Sequence, residues 1–454
     1  MSKFKEKAFW IAFGDFGGRG LAFLTSIYLA RTLGTEYFGL ITVAVSILGY
    51  ATWGADLGIL NIGVREIAKE PKYRTFRAKE LFNLKIALAA IILIVSTIIL
   101  SFVPIGELQK QVITGYLYSL IPYALLLEWY YSGKQKFGKL ALSRIVNGFV
   151  YLGLVYWLIN SEDDVAIVPI LYTIGVTSAV VVLGTFSISD KPFKLPSRSF
   201  KTYIELLKNS SIVGFGGFFS RVVQLLPPIL IGIFLSLKDA GVYGAAFRII
   251  IIAMMLDRIF VNLLLPNLAS LWSSNRENAI QRINMVIRLI IVGGTILSLL
   301  TAINAEQIIL LLYGVDFAGS IEILQILSLF ILLTFLNSLF SFGLIATNND
   351  KKYLIVLFAS FGDSQMVAFS VLLSEFVLAT SSYYWFRKIV PIKILRSLLI
   401  IFTTGSVLFT IFYYFEIHYL IASIITLMVI PVLSWYARVI RIGELNWLKE
   451  KLIK

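Results

Sequence analysis

A chain of 454 residues with 58% hydrophobic side chains and a mean hydropathy of +0.85 lies well above the ~45–50% apolar content of soluble domains, so a string of soluble domains is excluded. The lack of cysteine rules out disulfides and thiolate metal sites, and a single histidine, His418, makes no metal cluster. A net charge of +14 would suit nucleic acid, but its distribution along the chain points elsewhere.

Lys3, Lys5 and Lys7 lead into an apolar stretch with no small-residue cleavage site and soluble domain after it, so it reads as a retained first span. Apolar runs of roughly 18 or more residues, enough to cross ~30 Å of hydrocarbon, recur to the end of the chain. Spans are predicted near 8–30, 37–62, 81–103, 112–132, 140–160, 165–188, 206–235, 240–268, 284–303, 321–346, 353–362, 366–386, 397–415 and 418–437. Alternating barrel strands are absent. The predicted fold is an all-α polytopic membrane protein of about 14 transmembrane helices. The eleventh span is short, and with the twelfth it is expected to form a hairpin turning at Gly362-Asp363-Ser364. A single crossing there would place the basic stretch 387–396 on the wrong side.

Basic residues near span ends collect on the cytoplasmic side. With the N-terminus inside, most of the 40 Lys and Arg residues fall on inside segments, while an outside loop carries Glu162-Asp163-Asp164. The positive charge therefore sets orientation in a cell membrane, with both termini cytoplasmic, and no nucleic-acid partner is expected. Loops are short, and no GxxxxGK[ST] phosphate loop is present. No cofactor is expected; coupling to Na+, H+ or membrane potential is left open.

Laid on itself so that Phe13 meets Phe215, without gaps, the chain also superposes Gly14 on Gly216, Phe16 on Phe218, Arg19 on Arg221 and Gly39 on Gly241. Six spans separate the copies, so both have the same orientation, as in parallel transporter repeats. This predicts a six-span bundle over 1–205, a second over 206–390 related by a pseudo-twofold axis, and two added spans with a basic tail over 391–454.

Arg19 lies about 17 Å along span 1, near the bilayer centre, where an arginine costs at least ~2.5–3.5 kcal/mol. Asp15 is one turn earlier, and the two can pair locally. Arg221 has glycine, not an acid, at the matching position, and Pro227-Pro228 follow it. Gly14, Gly17, Gly18 and Gly20 are read as loosening span 1, as the prolines do span 7. A guanidinium fork suits phosphate or carboxylate. Arg19 and Arg221 are thus candidate anion-binding residues, with Arg248 of span 8 in the second rank. Asp15, Asp56, Asp257 and Glu375 are candidate coupling or structural acids. Lys85, Arg144 and Arg288 are expected to snorkel from inner span ends. Trp129-Tyr130-Tyr131, Tyr383-Tyr384-Trp385 and Tyr413-Tyr414 read as an interfacial aromatic belt.

Three phrases carry a resemblance: Ala30-Arg31-x-Leu33-Gly34, Phe38-Gly39-Leu40 and Ala55-Asp56-Leu57-Gly58 before a basic inner loop. They resemble the N-terminal signature of the polysaccharide-biosynthesis exporters, the Wzx-type flippases, of the MOP superfamily shared with multidrug extruders and peptidoglycan-lipid flippases. Ala240-Gly241-Val242-Tyr243-Gly244-Ala245-Ala246-Phe247-Arg248 is similar to the family's phrase at the start of span 8. The resemblance implies an alternating-access flippase that moves a polyprenyl-(pyro)phosphate-linked oligosaccharide outward, its phosphate held by cavity arginines. It also implies membrane lipids and other polysaccharide-assembly proteins as partners. One departure stands out: the family's acidic phrase midway along span 7 is replaced by Gln224-Leu225-Leu226-Pro227-Pro228. The competing readings are a cation-coupled multidrug exporter, whose cavity should be acidic, and a membrane glycan enzyme, for which no acid pair or nucleophile triad presents itself.

Overall fold

Helix α1 (Lys3–Asp56) runs for 54 residues. Straight, it would measure about 81 Å, more than twice the ~30 Å hydrocarbon thickness. Gly34 breaks it, at φ 69° and ψ −179°, a conformation that glycine reaches without a Cβ penalty. The break leaves two segments, 3–33 and 35–56, which are predicted spans 1 and 2.

The structure is a computed structural model and describes residues 3–70, 75–190, 199–216, 218–255, 275–346 and 395–436, with isolated positions between them. Predicted span 11, most of span 12, Asp257 and Glu375 lie outside the described residues.

At the end of α1, Leu57 (φ 39°) and Gly58 (φ 86°) turn the chain into α2 (Ile59–Ala68). Asp56 Oδ2 accepts the Leu60 N–H at 3.3 Å, satisfying one donor of the first turn. Helix α2 buries Ile59, Ile62 and Ile67. Helix α3 (Ala78–Phe102) follows and leaves Ile91, Ile94, Val95, Ile98, Ile99 and Phe102 exposed. So apolar an outer face belongs against lipid.

Predicted span 4 is present but broken. It consists of α4 (Glu107–Leu117), α5 (Leu120–Leu125) and α6 (Glu128–Gly133). The backbone is extended at Leu126, which starts α6 afresh and puts Glu128 in its first turn. Then come α7 (Phe137–Leu158), α8 (Val168–Asp190), α9 (Phe200–Gly216), α10 (Phe218–Phe234) and α11 (Leu237–Ala253). Predicted span 7 is thus α9 plus α10, and α10 carries Pro227 and Pro228 inside it.

Residues Met1–Gly244 form one compact unit and Ala245–Lys454 a second. The first extends past residue 205 because α9 packs on α2 and α3, and α10 packs on α1. Its core joins Ile59, Phe76, Leu81, Trp129, Tyr131, Leu140, Leu183 and Leu206. Trp129, Tyr130 and Tyr131 are buried here, and the Tyr131 hydroxyl donates to Leu183 O at 3.2 Å. They are core residues rather than part of an aromatic belt. Tyr413 and Tyr414 are exposed, as a belt requires. The second unit is built on α12 (Arg276–Ile303), against which α14 (Ser320–Ala346), α15 (Leu395–Tyr414) and α16 (Tyr419–Tyr436) pack; α13 (Ala305–Leu312) links α12 to α14. The last two helices are fixed to α12: Gly405 sits against Thr295 and Leu299, and Asn304 Nδ2 donates to Ser423 Oγ at 2.9 Å.

Among the described residues, eight helices are long and apolar enough to cross a membrane. The chain is therefore a multi-pass membrane protein.

Glu66 organises the α2–α3 connection. Its carboxylate is buried, accepts the Thr75 and Phe76 N–H groups at 2.7 and 3.2 Å, and meets Lys69 Nζ at 2.7 Å. Burial pushes its pKa up, but the Lys69 ammonium and the two N–H groups more than offset this and hold it below the usual range. Because the folded value is lowered, the stability Glu66 contributes is complete above the ordinary carboxylate value and is lost as pH falls through the lowered one. Glu66→Ala strands two backbone donors and is expected to cost about 1–3 kcal/mol. Lower protection factors at Thr75 and Phe76, corrected for the pH dependence of intrinsic exchange and nearly constant between pH 7 and pH 4, would register it; wild type should approach the variant only under acid.

Candidate functional site

Helices α1 and α7 approach closely because α1 presents glycine to α7. A Cβ on Gly14 would stand 2.7 Å from Ala141 Cα, one on Gly17 3.1 Å from Ile145, and one on Gly18 3.3 Å from Arg144 Cβ. These glycines close the helix pair; of the four read as loosening span 1, Gly20 alone meets nothing within 4 Å. In this groove Asp15 Oδ1 accepts from Arg144 Nη1. Arg144 Nε also donates to Glu128 Oε1 at 3.1 Å. The carboxylate of Asp15 is thus held across to α7, and Arg144 does not snorkel: it is clamped by two acids.

Lys85 does not snorkel either. It is buried, with its ammonium over the Tyr123 ring at 4.4 Å, a cation–π contact. Asp56 and Glu128 act on it electrostatically. The second oxygen of Asp56, Oδ1, is buried and without a hydrogen-bond partner among the described residues. Arg221, exposed near the start of α10, lies within electrostatic range of Asp56 and Tyr123. Arg19 is partly buried on α1, one turn beyond Asp15. Arg248 is partly buried on α11, in the second unit.

Among the charged side chains on the membrane helices of the first unit are thus Arg19, Lys85, Arg144 and Arg221, with Asp15, Asp56 and Glu128. Lys85, Arg144 and Glu128 are the residues that sequence reasoning undervalued. The available signal was the Gly14, Gly17 and Gly18 spacing, which places the Asp15 side of α1 against a neighbour.

A multi-pass helical bundle with charged side chains embedded in its spans is the architecture of a membrane transporter. A family model described as "Polysaccharide biosynthesis protein" matches residues 4–272, more than half of the chain, and the chain belongs to that family. It is 23% identical over 340 residues to an Escherichia coli K12 protein described as an O-antigen transporter, covering 73% of this chain and 81% of that one. It is 25% identical over 325 residues to a Haloferax volcanii protein described as a low-salt glycan biosynthesis flippase, covering 68% of this chain and 65% of that one, just under two thirds of its length. The fold is similar to that of the lipid II flippase MurJ in an inward closed conformation, with a TM-score of 0.73 at 15% identity, over 94% of this chain and 98% of that one. It is also similar to an inward-facing MATE transporter of the MOP superfamily, with a TM-score of 0.60 at 16% identity, over 81% and 93% of the two chains. The expected MOP-superfamily fold is thus present. These relatives are transporters and flippases, not enzymes, in agreement with the reading of this chain as a transporter.

Proposed function

We propose that this chain is a flippase that carries a polyprenyl-(pyro)phosphate-linked oligosaccharide from the inner to the outer leaflet of the cell membrane by alternating access. Arg19 and Arg221 bind the phosphate, with Arg248 as a second-rank binding residue. The observation that carries this reading is the pair of arginines, Arg19 and Arg221, set within membrane helices of the first unit. A cavity for organic cations would need acids in their place, which disfavours the multidrug reading. The names of the bacterial and archaeal relatives, an O-antigen transporter and a glycan flippase, support a glycan cargo.

An anionic headgroup moving outward is driven by an inside-negative potential, by about 2.3 kcal/mol per charge per 100 mV. Membrane potential alone is therefore a sufficient class of driving force. If Na+ or H+ contributes, Asp56 is the acid placed to carry it, with one oxygen on the Leu60 N–H and the other without a hydrogen-bond partner among the described residues.

The orientation has a direct test, which the lack of native cysteine makes clean. Asp163→Cys should react with an impermeant thiol reagent applied to intact cells, and Lys134→Cys should react only after the cells are opened. Labelling in the reverse pattern would overturn the proposed topology.

A further inference from the structure

The ion-pair cluster at Arg144 does more than join two helices. The side chains of Arg144, Asp15 and Glu128 remain 36%, 30% and 29% exposed, so the guanidinium is not sealed off. The guanidinium has five N–H donors, and its two acids occupy only Nε and one Nη1 position. Two of the helices packed on α7 bring charge to it: Asp15 and Arg19 lie on α1 and Glu128 on α6, while the only charge on α8, Asp190, is held by Lys136 and Lys139. A phosphate held by Arg19 would lie one helical turn from Asp15, where it competes with that carboxylate for the same guanidinium.

We propose that Arg144 is a further binding residue for the anionic headgroup, and that Asp15 and Glu128 are its resident competitors, giving up the guanidinium when a phosphate arrives and taking it back on release. This rests on the proposed flippase reading and adds to it a way to let the cargo go. Bidentate guanidinium–phosphate pairs are strong, and a site built only of arginines would hold its cargo too tightly to turn over. Two carboxylates that reclaim one arginine weaken the bound state and speed departure.

The test uses the whole chain in nanodiscs of neutral lipid. Binding of geranylgeranyl pyrophosphate is measured by titration, with geranylgeraniol and inorganic pyrophosphate as separate arms, and melting temperature is recorded for each variant. Arg144→Gln should weaken binding of the pyrophosphate lipid about tenfold. Asp15→Asn and Glu128→Gln should each tighten it several-fold, within the ~5–150-fold range of typical coupling. The double variant Asp15→Asn with Arg144→Gln should fall back to the Arg144→Gln level. A packing role predicts the opposite for the acids: lower melting temperature and weaker or unchanged binding. Either that result in both acid variants, or wild-type affinity in Arg144→Gln, overturns the proposal. Equal gains for inorganic pyrophosphate and the lipid assign the site to the phosphate alone; a gain confined to the lipid requires the chain as well, and both outcomes support it. Failure of the wild-type protein to bind the pyrophosphate lipid would instead overturn the flippase reading itself.

Discussion

Arg19→Ala and Arg221→Ala are each expected to abolish export of the lipid-linked glycan while protein level stays near wild type. An arginine within a membrane span is costly, so a chain that keeps Arg19 and Arg221 on two such helices gains something from them. If each makes a desolvated, charge-assisted contact to phosphate, truncation costs about 2–5 kcal/mol, roughly 30-fold to several-thousand-fold in affinity. Arg221 is exposed, so its removal empties no packed core. Arg→Lys at either position should recover little, because a point charge lacks the bidentate fork. The measurement is surface glycan, together with accumulation of the lipid-linked precursor, in a deletion strain carrying each variant. Normal export in both alanine variants would remove these residues from the site.

Most of the fold was legible because spanning a membrane leaves few options. Every backbone donor in hydrocarbon must be satisfied within its own helix, so apolar run length alone placed nearly every described span within a few residues. Span 4 was the exception. Its apolar content continues across the break at Leu126, and hydropathy does not register a backbone that becomes extended. The site was less legible, because periodicity along one helix says nothing about its neighbour. Asp15 was matched to Arg19 on its own helix, yet its recorded partner is Arg144, 129 residues away. Lys85 and Arg144 sit where long side chains usually reach for water, and only packing reveals that Lys85 is buried and Arg144 is held by two acids. Trp129-Tyr130-Tyr131 misled for the same reason: aromatic rings at a span end suit a belt and a core equally well until burial is known.

The phrases that carried the family resemblance have a physical meaning that sequence did not supply. The second segment of α1 runs antiparallel to α10 and meets α11 and α9 beyond its two ends, with glycine at these close approaches. A Cβ on Gly49 would meet Leu225 at 2.7 Å, and one on Gly232 would meet Val43 at 2.7 Å. At one end, a Cβ on Gly39 would collide with the Leu237 carbonyl and stand 2.8 Å from Gly241 N. At the other, about 28 Å along the helix, Gly58 and Gly214 meet: a Cβ on Gly58 would stand 2.7 Å from Gly214 N, and Trp53 Nε1 donates to Gly214 O at 3.1 Å. Phe38-Gly39-Leu40 thus clasps α1 to α11, and Ala55-Asp56-Leu57-Gly58 clasps its end to α9.

Gly39→Ala and Gly241→Ala are therefore expected to have effects out of proportion to one methyl group. The obstacle at each is backbone, the Leu237 carbonyl for Gly39 and the Thr35 carbonyl for Gly241, which cannot rotate away as a side chain tip can. Overpacking of a rigid contact costs about 1–3 kcal/mol or more. Gly58→Ala adds strain from its positive φ of 86°, a further ~1–2 kcal/mol. Gly20→Ala is the internal control. Nothing lies within 4 Å of its Cβ, and alanine gains about 1 kcal/mol of helix propensity over glycine, so this variant should melt at or above the wild-type temperature. Thermal denaturation in detergent, followed by glycan export in cells, should rank Gly39→Ala, Gly241→Ala and Gly58→Ala well below wild type and Gly20→Ala level with it. If all four behave alike, the close approach of these helices is not what these glycines secure. Selective loss at the three clasp positions would tie these phrases to helix apposition.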